Sequence, residues 1–307
     1  MDRKQLVDYL VYLVVRIFIC IAQSIRIETG QSLARWLAWL FCDALRIRAK
    51  VIDENLVHAF PELSASARKD RSRQMWEHLF LLVLEVAHAP RKIHQTNWRD
   101  YIDLINREKL VQLLLEKRPL LIVTGHLGNF EVGGFAMGVL GFPTYTVART
   151  LDNPYLDRFV NDFRSRTGQH IIPKNGGADQ IEKVLSNNGT MTFVADQYAG
   201  PKGCWVDFFG RPASTYKAIA LLAMQYNAII AVSAVIRVDK PMQFQIHNYA
   251  MADPQKTKGD LGAIHELTQW YTTCLEELIR LYPDQYWWLH RRWKDTREPK
   301  QKRRQAA

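Results

Sequence analysis

The chain has 307 residues, of which 48% are hydrophobic and 23% charged, so a disordered chain is excluded and a sizeable core is expected. Its 41 Lys and Arg outnumber 31 Asp and Glu, and the net charge of +10 favours an acidic partner: phosphate groups, an anionic bilayer, nucleic acid or an acidic protein. The four cysteines show no C-x-x-C spacing and are predicted to be reduced thiols rather than metal ligands or disulfides.

The first predicted element is a long apolar helix. Residues 6–25, LVDYLVYLVVRIFICIAQSI, match the roughly 20 residues that cross a bilayer, although the central Arg16 opposes insertion. A buried core helix is the alternative. Arginines and lysines are more numerous after the helix than before it, so a spanning helix would leave the body of the protein in the cytoplasm. The next helix, SLARWLAWLFCDALRIR, is amphipathic and would either lie on the membrane or cover the core.

The body of the chain alternates predicted helices and strands. A helix is predicted at 65–88, and short β-branched runs at 118–125 and 144–149 predict strands with a helix between them. The alternation continues from about 118 to 238. It predicts an α/β fold with a mixed, largely parallel central sheet flanked by helices, preceded by an N-terminal membrane-associated helix.

The segment TGHLGNFE places His126 and Glu131 at the end of the first of these strands. On one continuous helix the two side chains would point about 140° apart. They cooperate only if His126 lies in the loop and Glu131 in the first helical turn, where the helix dipole favours a carboxylate. Glu131 is then expected to accept a hydrogen bond from one ring nitrogen and leave the other as a general base. A structural, capped histidine is the alternative.

Motifs for other chemistries are missing. The sequence has no G-x-S-x-G, no H-E-x-x-H, no Cys/His cluster and no phosphate-binding glycine motif. We therefore predict no metal and no bound cofactor. A base without a protein nucleophile indicates that a substrate supplies the nucleophile.

Polar residues also follow the later predicted strands. Arg149 is predicted to bind a phosphate or an oxyanion, with a surface charge as the alternative. Asp196 and Gln197 end another strand, where the carboxylate would hold a cationic side chain of the site or cap the loop. Arg166, on a predicted helix, is either a substrate contact or a solvated charge.

The segment YWWLHRRWK near the C-terminus mixes aromatic residues with Arg291 and Arg292. This pattern suits single-stranded nucleic acid as well as a bilayer. Because the N-terminus is apolar, we favour a bilayer, with the arginines on lipid phosphates and no nucleic acid partner.

Several segments together resemble one family. The chain is similar to the lipid A secondary (late) acyltransferases, the lauroyl/myristoyl branch of the lysophospholipid acyltransferase superfamily. The H-x₄-[DE] motif is GHLGNFE, and the remaining matches follow in family order: NLVHAFPELS, VARTLDNPYLDRFVNDFRSRTG, IPKNGG, VADQ, VDFFGRPAST and YWWLHRRWK.

The resemblance implies transfer of a fatty acyl chain from acyl carrier protein to a hydroxyl of an anionic glycolipid, a lipid A precursor. The reaction would take place at the cytoplasmic face of the inner membrane. Residues 1–28 would then be the membrane anchor, and residues 29–307 the catalytic domain with its basic C-terminal tail. The alternatives are acylation of a lysophospholipid or amino-lipid, or a non-enzymatic membrane or nucleic-acid binder.

Overall fold

A computed structural model describes residues 2–256 and 261–294 of the chain, and the basic C-terminal tail lies largely outside them. The described helices are α1 (Arg3–Ser24), α2 (Ile27–Trp39), α3 (Ala49–Ala59), α4 (Ala65–Lys92), α5 (Arg107–Leu115), α6 (Phe130–Val139), α7 (Pro154–Ser165), α8 (Ala178–Ser186), α9 (Ala218–Gln225) and α10 (Ile264–Leu281). The described strands are β1 (Ile102–Ile105), β2 (Leu120–Thr124), β3 (Thr144–Ala148), β4 (Gln169–Pro173), β5 (Thr190–Val194), β6 (Cys204–Phe208), β7 (Arg211–Thr215), β8 (Ile229–Arg237) and β9 (Phe244–Ala252).

The central sheet has seven strands within the described residues, in the order β1-β9-β8-β2-β5-β3-β4. All neighbouring pairs are parallel except β8 and β9, which run antiparallel. The mixed, largely parallel sheet that the sequence predicts is therefore confirmed. The hairpin of β6 and β7 forms a separate antiparallel pair that the sequence did not predict.

The central strand β2 is buried along its whole length, which explains its uninterrupted apolar sequence. Alternate residues point to opposite faces of the sheet. Leu121 and Val123 join the main core with α10, whereas Ile122 packs with Met137 of α6 on the other face. Helix α6 therefore covers one face of the sheet immediately after the strand that carries the His126 motif.

The N-terminal helix α1 packs on the body of the protein along one side. The Gln23 amide donates to the Ala87 carbonyl of α4 at 2.8 Å, and the Asn153 amide before α7 donates to the Asp8 carbonyl at 2.8 Å. Much of the remaining surface is apolar: Val14, for example, is 66% exposed, and Arg16 is an exposed charge among these residues. Among the described residues α1 is the one helix long and apolar enough to cross a membrane, a criterion that core helices and signal sequences also meet.

A buried ion pair ties α4 to the sheet. The Glu85 carboxylate, with no solvent exposure, accepts hydrogen bonds from the Arg237 guanidinium of β8 at 2.6 and 2.7 Å. It also accepts from the Asn129 side chain at 2.8 Å and from the Met242 backbone amide at 3.1 Å. The third guanidinium nitrogen of Arg237, Nη1, lies 2.9 Å from His78 Nδ1. The pair thus joins α4, β8 and the loop before α6.

Removing one partner of this pair is expected to be costly. Glu85→Ala leaves the Arg237 guanidinium buried without a counter-charge, so the free energy of unfolding should fall by about 3–5 kcal/mol. Denaturant titration measures this change. The control is Glu54→Ala, whose carboxylate makes only a 3.9 Å surface ion pair with Lys50 and should shift stability by less than about 0.5 kcal/mol. Equal effects of the two substitutions would contradict a structural role for the buried pair.

Candidate active site

The loop that carries His126 is fixed by backbone hydrogen bonds to two other segments. The Trp287 amide donates to the His126 carbonyl at 3.0 Å, and the Asn129 amide donates to the Val235 carbonyl of β8 at 2.7 Å. Gly128 has φ of +60°, and a Cβ there would collide with the Val235 carbonyl. This position therefore requires glycine, because a side chain would push the loop off the sheet.

Helix α6 begins at the fully buried Asn129. Its side-chain oxygen accepts from the Val132 amide at 3.1 Å and thereby caps the helix. The same side chain donates to Glu85, so the cap and the buried ion pair form one network. His126 stands before this cap and Glu131 in the first turn after it, as the sequence argument required.

The carboxylate that holds the His126 ring belongs to Asp196. Nδ1 of the ring lies 2.8 Å from one Asp196 oxygen, and the His126 backbone amide donates to the other at 2.9 Å. Since a carboxylate only accepts, the neutral ring carries its proton on Nδ1, and Nε2 keeps its lone pair. The Gln197 side-chain nitrogen lies 3.3 Å from Nε2 and completes the arrangement as a donor.

Charge and burial act in opposite directions on this pair. Burial lowers the pKa of His126, but the Asp196 charge and hydrogen bond, with a smaller contribution from the Glu131 charge, raise it above 6.5 overall. Burial likewise raises the pKa of the Asp196 carboxyl, and the interactions with His126 outweigh it, so that pKa is lowered. The result is an ionised carboxylate beside a ring of increased basicity.

Glu131 does not make the predicted contact with the ring. Its carboxylate pairs with the Arg164 guanidinium of α7, with Nε at 3.1 Å from one oxygen and a second contact to the other. The expectation that Glu131 accepts from His126 was wrong, because the first turn of α6 turns this carboxylate towards α7. Glu131 instead holds Arg164 in place and acts on His126 through its charge.

A cavity of about 540 Å³ opens beside these residues. One wall is the sheet face under α6, and the cavity opens at the carboxyl ends of the strands. The lining residues that the argument uses below are His126, Glu131, Arg149, Arg164, Lys174 and Gln197. Within the described residues no group of three metal-ligating side chains is found.

Two basic residues lie side by side at the mouth. Ala148 of β3 pairs with Pro173 of β4, so the residues that follow them, Arg149 and Lys174, leave the sheet together. Arg149 is 76% exposed and pairs with Asp152, which is 87% exposed, at 2.7 Å. The sequence argument named Arg149 but missed Lys174. The same rule, a charge directly after a strand, would have identified it.

Other predicted site residues lie elsewhere. Arg166 is exposed, ends α7 and does not line the cavity; Arg164, one half-turn earlier, does. Arg292 is only 2% exposed and donates to the Ser214 carbonyl at 2.6 Å and to the Thr215 hydroxyl. It is therefore a core residue and cannot reach a lipid phosphate, so that expectation was wrong.

The aromatic segment around Arg292 is also part of the core rather than of a membrane interface. Trp288 is 1% exposed, and its indole N–H donates to the Pro283 carbonyl at 2.7 Å. Trp287 instead packs against the His126 ring with centroids 5.0 Å apart, and Phe130 packs against the same ring at the same distance. Arg291 is exposed and makes no contact with the cavity.

Comparison with known proteins gives a consistent result. The family model described as bacterial lipid A biosynthesis acyltransferase matches residues 2–295. Lipid A biosynthesis lauroyltransferase of Escherichia coli (strain K12) is 25% identical over 260 residues, 83% of this chain and 81% of that protein. Lipid A biosynthesis palmitoleoyltransferase of the same organism is 23% identical over 256 residues, 81% of this chain and 80% of that protein.

Two further proteins match more distantly. A phosphatidylinositol mannoside acyltransferase of Mycobacterium tuberculosis (strain ATCC 25618 / H37Rv) is 27% identical over 172 residues, 55% of this chain and 52% of that protein. Among solved structures, the 1-acyl-sn-glycerophosphate acyltransferase PlsC of Thermotoga maritima aligns with a TM-score of 0.36 and 13% identity, covering 84% of this chain and 97% of that chain.

The Asp196 contact predicts how His126 titrates. In the wild-type protein the pKa of His126 should lie above 6.5, the value of the free side chain. In Asp196→Asn the attractive charge is lost while burial remains, so the pKa should fall below the wild-type value. Histidine ring resonances followed by NMR against pH measure both. An unchanged pKa in the variant would show that Asp196 does not hold the ring.

Proposed function

The chain belongs to the bacterial lipid A biosynthesis acyltransferase family, and we propose that it moves a fatty acyl chain from acyl carrier protein to a hydroxyl of a lipid A precursor. As a member of the family it is an acyltransferase, so the non-enzymatic alternative is set aside. One observation carries the mechanism: His126 stands at the cavity with Nδ1 held by Asp196 and Nε2 free of any carboxylate.

His126 acts as the general base in this mechanism. Nε2 takes the proton from the acceptor hydroxyl, and the oxygen attacks the thioester carbonyl. As the tetrahedral intermediate collapses, the carbon–sulfur bond breaks and the imidazolium returns the proton to the departing thiolate. The products are an ester and a free thiol. Asp196 stabilises the ring while it is charged, which is the role that sequence reasoning gave to Glu131.

No protein nucleophile competes with the substrate hydroxyl. Among the described residues that line the cavity there is no cysteine. The hydroxyl-bearing residues of the lining make no hydrogen bond with the His126 ring; they are Ser233, Thr124, Thr146, Thr192 and Tyr216. A covalent acyl-enzyme would need a nucleophile within reach of the base. Direct transfer between two substrates fits this arrangement better.

The cavity mouth favours anionic substrates. Arg149 and Lys174 leave adjacent strands there, and Arg164 stands on the wall, with its charge balanced by Glu131. A glycolipid phosphate and the acidic surface of acyl carrier protein both suit a chain of net charge +10. The two basic side chains at the mouth are the proposed phosphate contacts.

The N-terminal helices favour a membrane location. Large apolar side chains of α1 face outwards, and Trp36 and Trp39 of α2 are 54% and 49% exposed. Tryptophan is enriched at the lipid headgroup layer. We propose that α1 anchors the protein in the inner membrane with its catalytic domain on the cytoplasmic side, where α2 both packs on α4 and meets the lipid surface.

Mass spectrometry of the acceptor tests the function. Purified protein is incubated with acyl-loaded carrier protein and a lipid A precursor, and one acyl group should be added to the precursor. Because one relative is named a phosphatidylinositol mannoside acyltransferase, mannosylated and lysophospholipid acceptors belong in the same assay. Transfer to these acceptors alone would replace lipid A as the substrate, and transfer to none would refute the proposal.

Loss of the base should abolish most activity. His126→Ala is expected to reduce kcat by about 10²–10⁴, as is typical when a general base is removed. Glu131→Ala should also lower kcat strongly, since it leaves Arg164 unpaired in the cavity wall. The matched control is His265→Ala, an exposed histidine of α10 away from the cavity, which should turn over normally. Near-normal turnover of folded His126→Ala would refute the mechanism.

The basic mouth predicts a separate kinetic effect. If Arg149 and Lys174 bind phosphate in the ground and transition states alike, Arg149→Ala and Lys174→Ala should raise KM roughly 10-fold with little change in kcat. Arg149→Lys should restore part of the binding if the contact is a point charge. Arg166→Ala is the control, because that arginine lies outside the cavity. A loss confined to kcat would indicate oxyanion stabilisation instead.

The anchor can be tested without disturbing the contacts of α1 with α4 and α7. We would replace four exposed apolar residues of α1 with serine: Val14, Ile17, Phe18 and Ile21, which are 55–66% exposed. This variant should be released from sedimented membranes, because less apolar surface enters the bilayer. Leu115→Ser with Leu281→Ser removes exposed leucines elsewhere and should change nothing. Unchanged sedimentation of the helix variant, and of a variant lacking residues 1–28, would contradict the anchor.

A further inference from the structure

The N-terminal helix α1 is held against the body of the protein at both of its ends. Near its start the Asn153 amide donates to the Asp8 carbonyl, and near its end the Gln23 amide donates to the Ala87 carbonyl, each at 2.8 Å. Positions 8 and 23 are about 22 Å apart along a helical axis. The axis of α1 therefore runs along the body and does not project from it.

The side of α1 that faces away from the body is an apolar stripe. Its central residues, which are 51–66% exposed, are Leu10, Val14, Ile17 and Ile21. At about 100° per residue these four fall within about 60° of one another around the axis, and Arg16 lies about 130° from their centre. The Arg16 guanidinium carbon is 4.8 Å from the centroid of the Phe159 ring in α7. The charge that opposes insertion is thus directed towards the body and away from the stripe.

A helix that crossed the bilayer in this position would carry part of the body into the hydrocarbon. The hydrocarbon core is about 30 Å thick, so most of α1 would lie inside it together with the segments that both of its ends contact. One of these segments is the irregular loop before α7, in which the Asp152 side chain is 87% exposed. Irregular loops and charges are not found facing lipid at that depth. Crossing would therefore require α1 to give up its contacts with the body.

We propose that α1 lies flat in the cytoplasmic leaflet, parallel to the membrane plane, with only its outer stripe in the lipid. An apolar stripe opposite a covered face is the pattern of helices that bind at a bilayer surface. Arg3 and Lys4 at its start and Arg26 just after its end are exposed, and anionic headgroups attract such residues. Both ends of α1 then lie on the cytoplasmic side. This arrangement rests on the membrane location in the proposed function.

A flat α1 brings the mouth of the cavity to the level of the lipid headgroups. Arg149 at the mouth pairs with Asp152, and the next residue, Asn153, holds the start of α1. In the first turn of α7, the Tyr155 ring packs against Tyr9 of α1 with centroids 5.3 Å apart. A lipid acceptor whose phosphate binds at the mouth can then keep its own acyl chains in the leaflet.

Cysteine labelling of the full-length protein in sealed inside-out membrane vesicles tests where α1 begins. The background is Cys20→Ser, which removes the exposed cysteine. Lys4→Cys should react with a membrane-impermeant maleimide without detergent, because a flat helix keeps its start on the same side as the body. A crossing helix would place this residue in the lumen, so reaction only after detergent would overturn the inference. Lys50→Cys, at a position 89% exposed on the body, is the control that should react in both conditions.

The depth of the stripe is a second, independent readout. Nitroxide labels on Leu10→Cys, Val14→Cys and Ile21→Cys report their depth through collisions with oxygen dissolved in the bilayer. The three labels should lie at similar depth, whereas a crossing helix would separate the first from the last by about 16 Å. Graded depths would overturn the inference. So would spin–spin broadening at Val14→Cys without oxygen access, since a second copy of the chain would then cover the stripe.

The acyl-transfer assay separates this arrangement from the proposed function. A crossing helix together with normal transfer overturns the flat arrangement and leaves the function standing. A flat helix without transfer to any lipid refutes the function and keeps the membrane-docking stripe.

Discussion

The contact between Asp196 and His126 is the interaction on which the rest of the site depends. It joins the ends of two adjacent parallel strands, β2 and β5, and it uses both carboxylate oxygens, one for the ring and one for the backbone of the same residue. The ring is therefore fixed in position and in tautomer at once. In the proposed mechanism, this ionised carboxylate, nearly excluded from solvent at 4% exposure, supports the positive charge that the ring would acquire during proton transfer.

A second group of interactions holds the same His126 loop in place. Glu85 and Arg237 form a buried pair that also binds Asn129, and Asn129 caps α6. A buried ion pair adds little net stability compared with apolar packing, yet losing one partner is costly. Its position is better explained by what it orients: the start of α6, and with it Glu131, relative to the His126 loop.

Strand ends were the part of the site that the sequence could locate. Apolar β-branched runs predicted β2, β3 and β5, and parallel strands bring their carboxyl ends together, so His126, Arg149 and Asp196 were all named. Which carboxylate meets the ring depends on side-chain direction, and sequence spacing does not encode it. The rotation of α7 about its axis determines that Arg164, and not Arg166, faces the cavity, and the sequence argument did not resolve it. The sequence did not predict the burial of Arg292, because its partners, Ser214 and Thr215, lie far away in sequence.

The pH dependence of kcat/KM in wild type and Asp196→Asn tests the central claim most directly. The base must be neutral, so wild-type activity should rise as pH passes through the raised pKa of His126 and then level off. In Asp196→Asn the rise should move to lower pH, since the carboxylate no longer favours the charged ring, and the plateau should drop by about 10²–10⁴. A variant profile that matches wild type in both midpoint and plateau would contradict the account.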